Sequence, residues 1–320
     1  MILALALTIL TIFSVKNLNA QTKEDAGNAF NAALELAKTD NAGAVVKMQD
    51  VLKMCSTVGK DADSVMLRVS KVLPVYQFNS GNDLMKLKNY DLAIPAFEKS
   101  IEFAVAYADA NIKEKSEAQL VRLYYVKGSN LLKSDKADSA IIALDKALKF
   151  DPEYSKALFT KGQAFKKKGD NVKMQENLEL AIVSASKTND TVLIKSAKNM
   201  IGSSLNQEGI AAFNKKLYAE AVTKLNSSLS YGFKNKDLYY ALATSNNSLK
   251  KFDEAIDAAN NGLAMVEQTN EKMAGYYCEI AKAYEGKKDI QNACINYKKS
   301  AFGPFAAYAN DKIKNVLKCQ

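Results

Sequence analysis

The chain has 320 residues, 44 basic against 35 acidic for a net charge of +9, and neither His nor Trp. Without His it lacks the commonest general base, the commonest metal ligand and the usual partner of a nucleophilic Ser or Cys, so catalysis and metal binding are both disfavoured. Only two of the cations are Arg (Arg68 and Arg122), so the forked side chain that nucleic-acid readers prefer is nearly missing, and no nucleic-acid partner is expected.

The first twenty residues differ from the rest. Ile2 to Val15 is an uncharged, mainly apolar run of fourteen, and Asn19-Ala20 before Gln21 offers a small-residue cleavage point. This is the pattern of a bacterial secretory signal peptide spanning 1–20, too short to cross a bilayer comfortably. No Cys lies near its end for lipid attachment. The expectation is a mature chain starting near Gln21 in the periplasm or cell envelope, with membrane contact only through an uncleaved segment or a basic ridge. Export also permits disulfides among Cys55, Cys278, Cys294 and Cys319. Cys278 and Cys294 lie on adjacent helices about two residues out of register, so buried thiols are the default expectation.

From residue 21 to 73 the reading is a divergent helical repeat. Ala26, Phe30, Ala33, Leu34 and Ala37 mark one amphipathic helix, and Ala44, Met48, Val51, Leu52 and Cys55 a second. A further helical stretch, Asp63 to Leu73, leads into Pro74, which suits a first helical turn or a kink.

From Pro74 to 301 a single pattern recurs six times. Its anchors are Gly81, Gly128, Gly162, Gly209, Ala243 and Ala281; twelve positions on stand Ala93, Ala140, Met174, Ala221, Ala255 and Ala293. Three after each anchor come Leu84, Leu131, Phe165, Ala212, Asn246 and Tyr284, and sixteen after come Phe97, Leu144, Leu178, Leu225, Ala259 and Tyr297. Nineteen after, the residue is always small: Ser100, Ala147, Ala181, Ser228, Gly262 and Ser300. Two antiparallel helices joined by a tight turn explain this, the small pair admitting close approach and the larger residues filling the space beside it. The repeats start at 74, 121, 155, 202, 236 and 274, so steps of 47 and 34 alternate through the first four. The excess residues, around Asn111 to Leu120 and Thr188 to Ile201, are helix-compatible and predict longer helices there.

The pattern resembles the tetratricopeptide repeat, most closely from Val121 to Tyr154, where Tyr124, Gly128, Leu131, Ala140, Leu144, Ala147 and Pro152 occupy that family's places. The resemblance implies an all-α, right-handed α-solenoid of six to seven helical hairpins. After Phe302-Gly303-Pro304 breaks the last repeat, 302–320 is expected to be a capping helix. Its inner side would be Phe305, Ala309, Ile313, Val316 and Leu317, with Asn310, Asp311, Lys312, Lys314 and Asn315 facing away.

The family lines a groove with the first helix of each repeat, which implies a site for a protein or peptide. The row three before the anchors carries Phe78, Tyr125, Phe159 and Tyr240, at positions that do not pack inside their own repeat; the row one after carries Asn82, Ser129, Gln163 and Thr244. Aromatic pockets beside amides and hydroxyls suit a peptide. Arg122 and Lys156, six before their anchors, faintly resemble a carboxylate clamp. The same aromatics are equally suited to packing on the next repeat. A non-catalytic scaffold of the envelope is the expected function, without cofactor, metal or catalytic residue. The alternative is an envelope-surface binder that uses the turn lysines, Lys86 and Lys88 through Lys287 and Lys288, as a ridge on anionic lipid or glycan.

Overall fold

A computed structural model describes residues 22–320. The segment read as a signal peptide lies outside the described residues. The helices are α1 (Lys23–Leu36), α2 (Asn41–Val58), α3 (Asp63–Lys86), α4 (Tyr90–Ala106), α5 (Ala110–Lys133), α6 (Ala137–Phe150), α7 (Ser155–Lys167), α8 (Asn171–Lys187), α9 (Thr191–Asn214), α10 (Tyr218–Ser230), α11 (Lys236–Ser248), α12 (Phe252–Leu263), α13 (Asn270–Gly286), α14 (Ile290–Ser300) and α15 (Ala306–Asp311). No strand occurs among the described residues, and none of their helices is long and apolar enough to cross a membrane. The chain divides into two compact units, residues up to Val126 with Lys149–Asp151, and Lys127–Leu148 with Pro152–Gln320. Within each, helices pack against their neighbours in sequence.

Each hairpin turns in one way. The residue seven after the anchor is left-handed in all six frames: Lys88, Asp135, Gly169, Lys216, Lys250 and Lys288, with φ between 57° and 76°. The next N–H then reaches back to the carbonyl three after the anchor, as from Asn89 to Leu84, Asp170 to Phe165 and Lys251 to Asn246 (2.8–3.0 Å). This satisfies a carbonyl the helix end would otherwise leave open. The following helix starts at once, and Asn89, Asp170 and Asp289 cap it by accepting from Leu92, Lys173 and Asn292 N–H groups.

What rests on the anchor glycines is the residue sixteen later. A Cβ at Gly81 would stand 2.8 Å from the Phe97 ring, and at Gly128 and Gly162 2.7 Å from Leu144 and Leu178. At Gly209 it would stand 2.6 Å from Leu225. Where the anchor is Ala243, the facing residue is the departing Ala259, one methyl replacing the other's bulk. The small residue nineteen after the anchor touches the start of its own repeat: Ser100 Oγ donates to Pro74 O (3.2 Å) and Ser228 Oγ to Gly202 O (2.7 Å).

Three features differ from the sequence reading. The stretch before Pro74 is not a separate helix: α3 runs from Asp63 to Lys86 with buried Leu73 and Pro74 inside it. Packing on both faces holds the helix through one missing N–H bond. The terminal cap is no single helix but α15 followed by a π-helical turn, Lys312–Val316. That turn shifts the register, so Lys312 points inward to Glu285 (2.6 Å) while Val316 is 51% exposed. Cys294 is joined to Cys319 by a disulfide, correcting the expectation of buried thiols for that pair; Cys55 and Cys278 are the buried free thiols. No spacing rule links a helix to a tail that folds back on it.

Candidate functional site

In the second unit, α11, α13 and the start of the terminal cap enclose a cleft of about 410 Å³. Its apolar lining is Tyr240, Tyr276, Phe305, Met265 and Val266; Lys236, Asp237, Glu267, Glu271 and Lys272 form the rim. The Tyr240 and Tyr276 rings meet edge to face (centroids 5.7 Å, 88°), and Tyr276 donates its hydroxyl to Lys236 O at 2.8 Å. Burial, with Asp237 and Tyr240 nearby, pushes the Tyr276 phenol up to about 12, and burial with Glu279 raises that of Tyr240. Both therefore stay neutral. Gly275 keeps the floor low, because a Cβ there would press on Phe305 (3.0 Å) and Tyr240 (3.3 Å).

Beside the cleft lies a buried polar network that the sequence reading missed. Glu279 is 1% exposed; Asn247 Nδ2 donates to its carbonyl (2.9 Å) and to Oε2 (2.8 Å), and Lys282 Nζ to Oε1 (2.8 Å). Burial opposes the Lys282 charge, but the Glu279 carboxylate outweighs it and holds the ammonium above its ordinary range. Lys282 and Lys312 Nζ stand 5.5 and 5.8 Å from the Tyr308 ring, while Lys312 and the Tyr297 hydroxyl both donate to Glu285 at 2.6 Å. The network thus pins the terminal segment to α13. Glu279 sits two before its anchor and faces α11, away from solvent. Its one signal in the sequence is Lys282, three residues on. Six polar atoms on the first helices, Gln119 Oε1, Asn206 Oδ1, Thr244 Oγ1, Ser245 Oγ, Asn246 Oδ1 and Asn247 Oδ1, are buried without a hydrogen-bond partner among the described residues.

Residues 76–104 and 121–154 match the family model of the tetratricopeptide repeat. Those two segments are tetratricopeptide repeats. Solved structures similar to it include MamA (23% identity over 62% of this chain and 96% of that one, TM-score 0.34). YrrB, described as a tetratricopeptide repeat protein with an unusual peptide-binding site, shares 14% identity over 59% and 91% (TM-score 0.35). A tetratricopeptide repeat protein from Parabacteroides merdae shares 13% over 92% and 98% (TM-score 0.28). Likenesses at these identities and TM-scores say nothing of partner or pathway. No curated protein matches the chain in sequence.

The residues expected to line the groove have different fates in these hairpins. In the first unit, Phe78 packs on Phe97 of its own hairpin (centroids 5.5 Å), against the expectation that this row stays clear of its own repeat; Gly81 leaves room for the Phe97 ring to reach it. Asn82 and Tyr125 are half-buried and Arg122 is exposed. In the second unit, Ser129 and Gln163 are half-buried and Lys156 is exposed. Phe159 is partly buried against two core clusters, one holding Phe165 and Met174 and the other Leu158 and Leu193. Tyr240 alone of these residues lines the cleft, with Thr244 one turn further along α11. No group of His, Cys, Asp or Glu able to hold a metal ion occurs among the described residues.

The turn lysines are partly neutralised. Lys168 pairs with Asp138 and Lys287 with Asp253, the same relation between successive repeats; Lys167 pairs with Asp135 and Lys86 with Asp83 (2.8 Å). Asp138 and Asp253 each stand ten after their anchors. This placement makes the ridge a mixed-charge seam at those repeats.

Proposed function

We propose that the chain is a non-catalytic scaffold that holds a partner peptide against the first-helix face of its second unit. An apolar side chain would enter the Tyr240–Tyr276–Phe305 cleft. The observation that carries this reading is the aromatic cleft itself, Tyr240, Tyr276 and Phe305 over the Gly275 floor with a charged rim. A bound peptide supplies the apolar anchor such a cleft takes. The apolar run Ile2 to Val15 supports export to the periplasm or envelope, where that partner would be met. The pairing of Lys167, Lys168 and Lys287 favours the cleft over the lysine ridge as the binding surface.

The test is capture of peptides from a displayed random library by the full chain, compared with Gly275→Leu and Tyr240→Ala. Gly275→Leu fills the cleft from its floor. Selected peptides should share an aromatic or aliphatic anchor and lose binding to both variants, whose helical content stays intact. Binding insensitive to both, or lost on raising salt alone, overturns the reading.

A further inference from the structure

A second cleft, of about 290 Å³, lies between the second helices α10 and α12 with α11 as its floor. Each helix gives it one face: Val222, Asn226 and Leu229 from α10; Tyr239, Leu242 and Asn246 from α11; Glu254, Asp257, Ala258 and Asn261 from α12, with Lys251 at its edge. Its origin is the departing frame. Three after the anchor, four of the other five repeats carry a large apolar residue, Leu84, Leu131, Phe165 or Tyr284 (the fifth has Ala212), whereas here the residue is Asn246, polar. Asn246 is 4% exposed, and its Oδ1 is buried with no protein partner.

A buried amide oxygen left unpaired costs stability, and a leucine would remove the cost. The mouth is acidic. Glu254 and Asp257 are exposed on α12 and, among the described residues, enter no ion pair. The groups that face the space are therefore an unpaired acceptor at the base, two carboxylates above it and the Tyr239 ring at one side. Only Lys251 opposes, and it is exposed at the helix start. We propose that this cleft receives one guanidinium side chain, an arginine of a protein partner. Its N–H groups donate to Asn246 Oδ1, its charge lies between Glu254 and Asp257, and its plane rests against Tyr239. A turn about χ2 of Asn246, a soft torsion, presents the oxygen. The volume lies just below the roughly 300–1,000 Å³ of small-molecule pockets, which suits a single side chain. This surface is separate from the Tyr240 cleft, so either proposal stands without the other.

The experiment follows side-chain amide signals of the labelled full chain by NMR while Ac-Gly-Arg-Gly-NH2 is added to tens of millimolar. Asn246 is assigned through Asn246→Leu. The Asn246 and Asn261 signals should shift saturably with the arginine peptide and at least tenfold more weakly with its citrulline counterpart. Glu254→Gln with Asp257→Asn should abolish the response, and Lys251→Met should tighten it. Asn246→Leu should abolish binding yet raise the Tm, since it restores the residue type other repeats use. Equal shifts from arginine and citrulline peptides, shifts from calcium chloride alone, no saturable shift, or a lower Tm for Asn246→Leu would each overturn the assignment.

Discussion

Leu178 lies over Gly162 so closely that a Cβ on the glycine would stand 2.7 Å from Leu178 Cγ. Gly162→Ala should therefore destabilise by about 1–3 kcal/mol through overpacking, and Leu178→Ala by about 2–5 kcal/mol through the cavity it leaves. The double variant should cost less than the sum, by about 0.5–3 kcal/mol, because the alanine methyl occupies part of that cavity. Ala243 with Ala259 already has this arrangement. Urea unfolding of the four proteins measures the coupling; strict additivity would show that the two side chains are independent.

At the turns, Lys216 and Lys288 hold φ of 61° and 63°, a region that suits glycine better than any residue carrying a Cβ. Lys216→Gly and Lys288→Gly should each stabilise the fold by about 1 kcal/mol. Calorimetric Tm values above that of the parent chain are the expected result. Substitution of the same residues by Ala should bring no such rise.

The disulfide from Cys294 to Cys319 closes 25 residues and ties down the terminal cap, where Phe305 also meets Gly275. Cys319→Ser should lower stability by about 3 kcal/mol on the chain-entropy account. Hydrogen exchange should quicken over 302–320 and α14 and stay unchanged in α7 and α8. Uniform loss of protection across the second unit would show instead that the cap is needed by every repeat.

Alkaline pH should act through Cys278. Burial, chiefly, pushes its thiol from 9.0 up to about 11, with Lys282 opposing and Glu279 reinforcing. The folded state favours the protonated thiol, so this contribution is complete below pH 9 and is lost as pH rises towards 11. The loss amounts to about 2–3 kcal/mol. Urea midpoints at pH 8, 9.5 and 11 should fall steeply for the parent and less steeply for Cys278→Ala. Parallel falls would assign the effect to other groups, such as Tyr276.

Glu279 offers a fifth test. Its removal as Glu279→Ala strands the half-buried Lys282 and frees the Asn247 amide, and should cost about 3–5 kcal/mol. The compensated pair Glu279→Leu with Lys282→Met should recover most of that loss. A single variant as stable as the parent would show that the network contributes little.

The hairpins and their packing were legible because they depend on local relations. An anchor meets the residue sixteen later through one turn of fixed geometry, so Gly128 with Leu144 or Gly209 with Leu225 is written in the spacing itself. Even the departures Asn246 and Ala259 were visible, though not that one opens a cleft and the other answers Ala243. What lay beyond the spacing joins different repeats or the tail: Glu279 taken up by Asn247, Cys319 reaching Cys294, and Gly275 lying under Phe305. Short-range sterics determine one hairpin at a time. Which polar groups end up dry, and which glycine becomes a floor, is decided only when successive hairpins and the terminal segment exclude water together, since burial belongs to the assembled surface and not to any one stretch of chain.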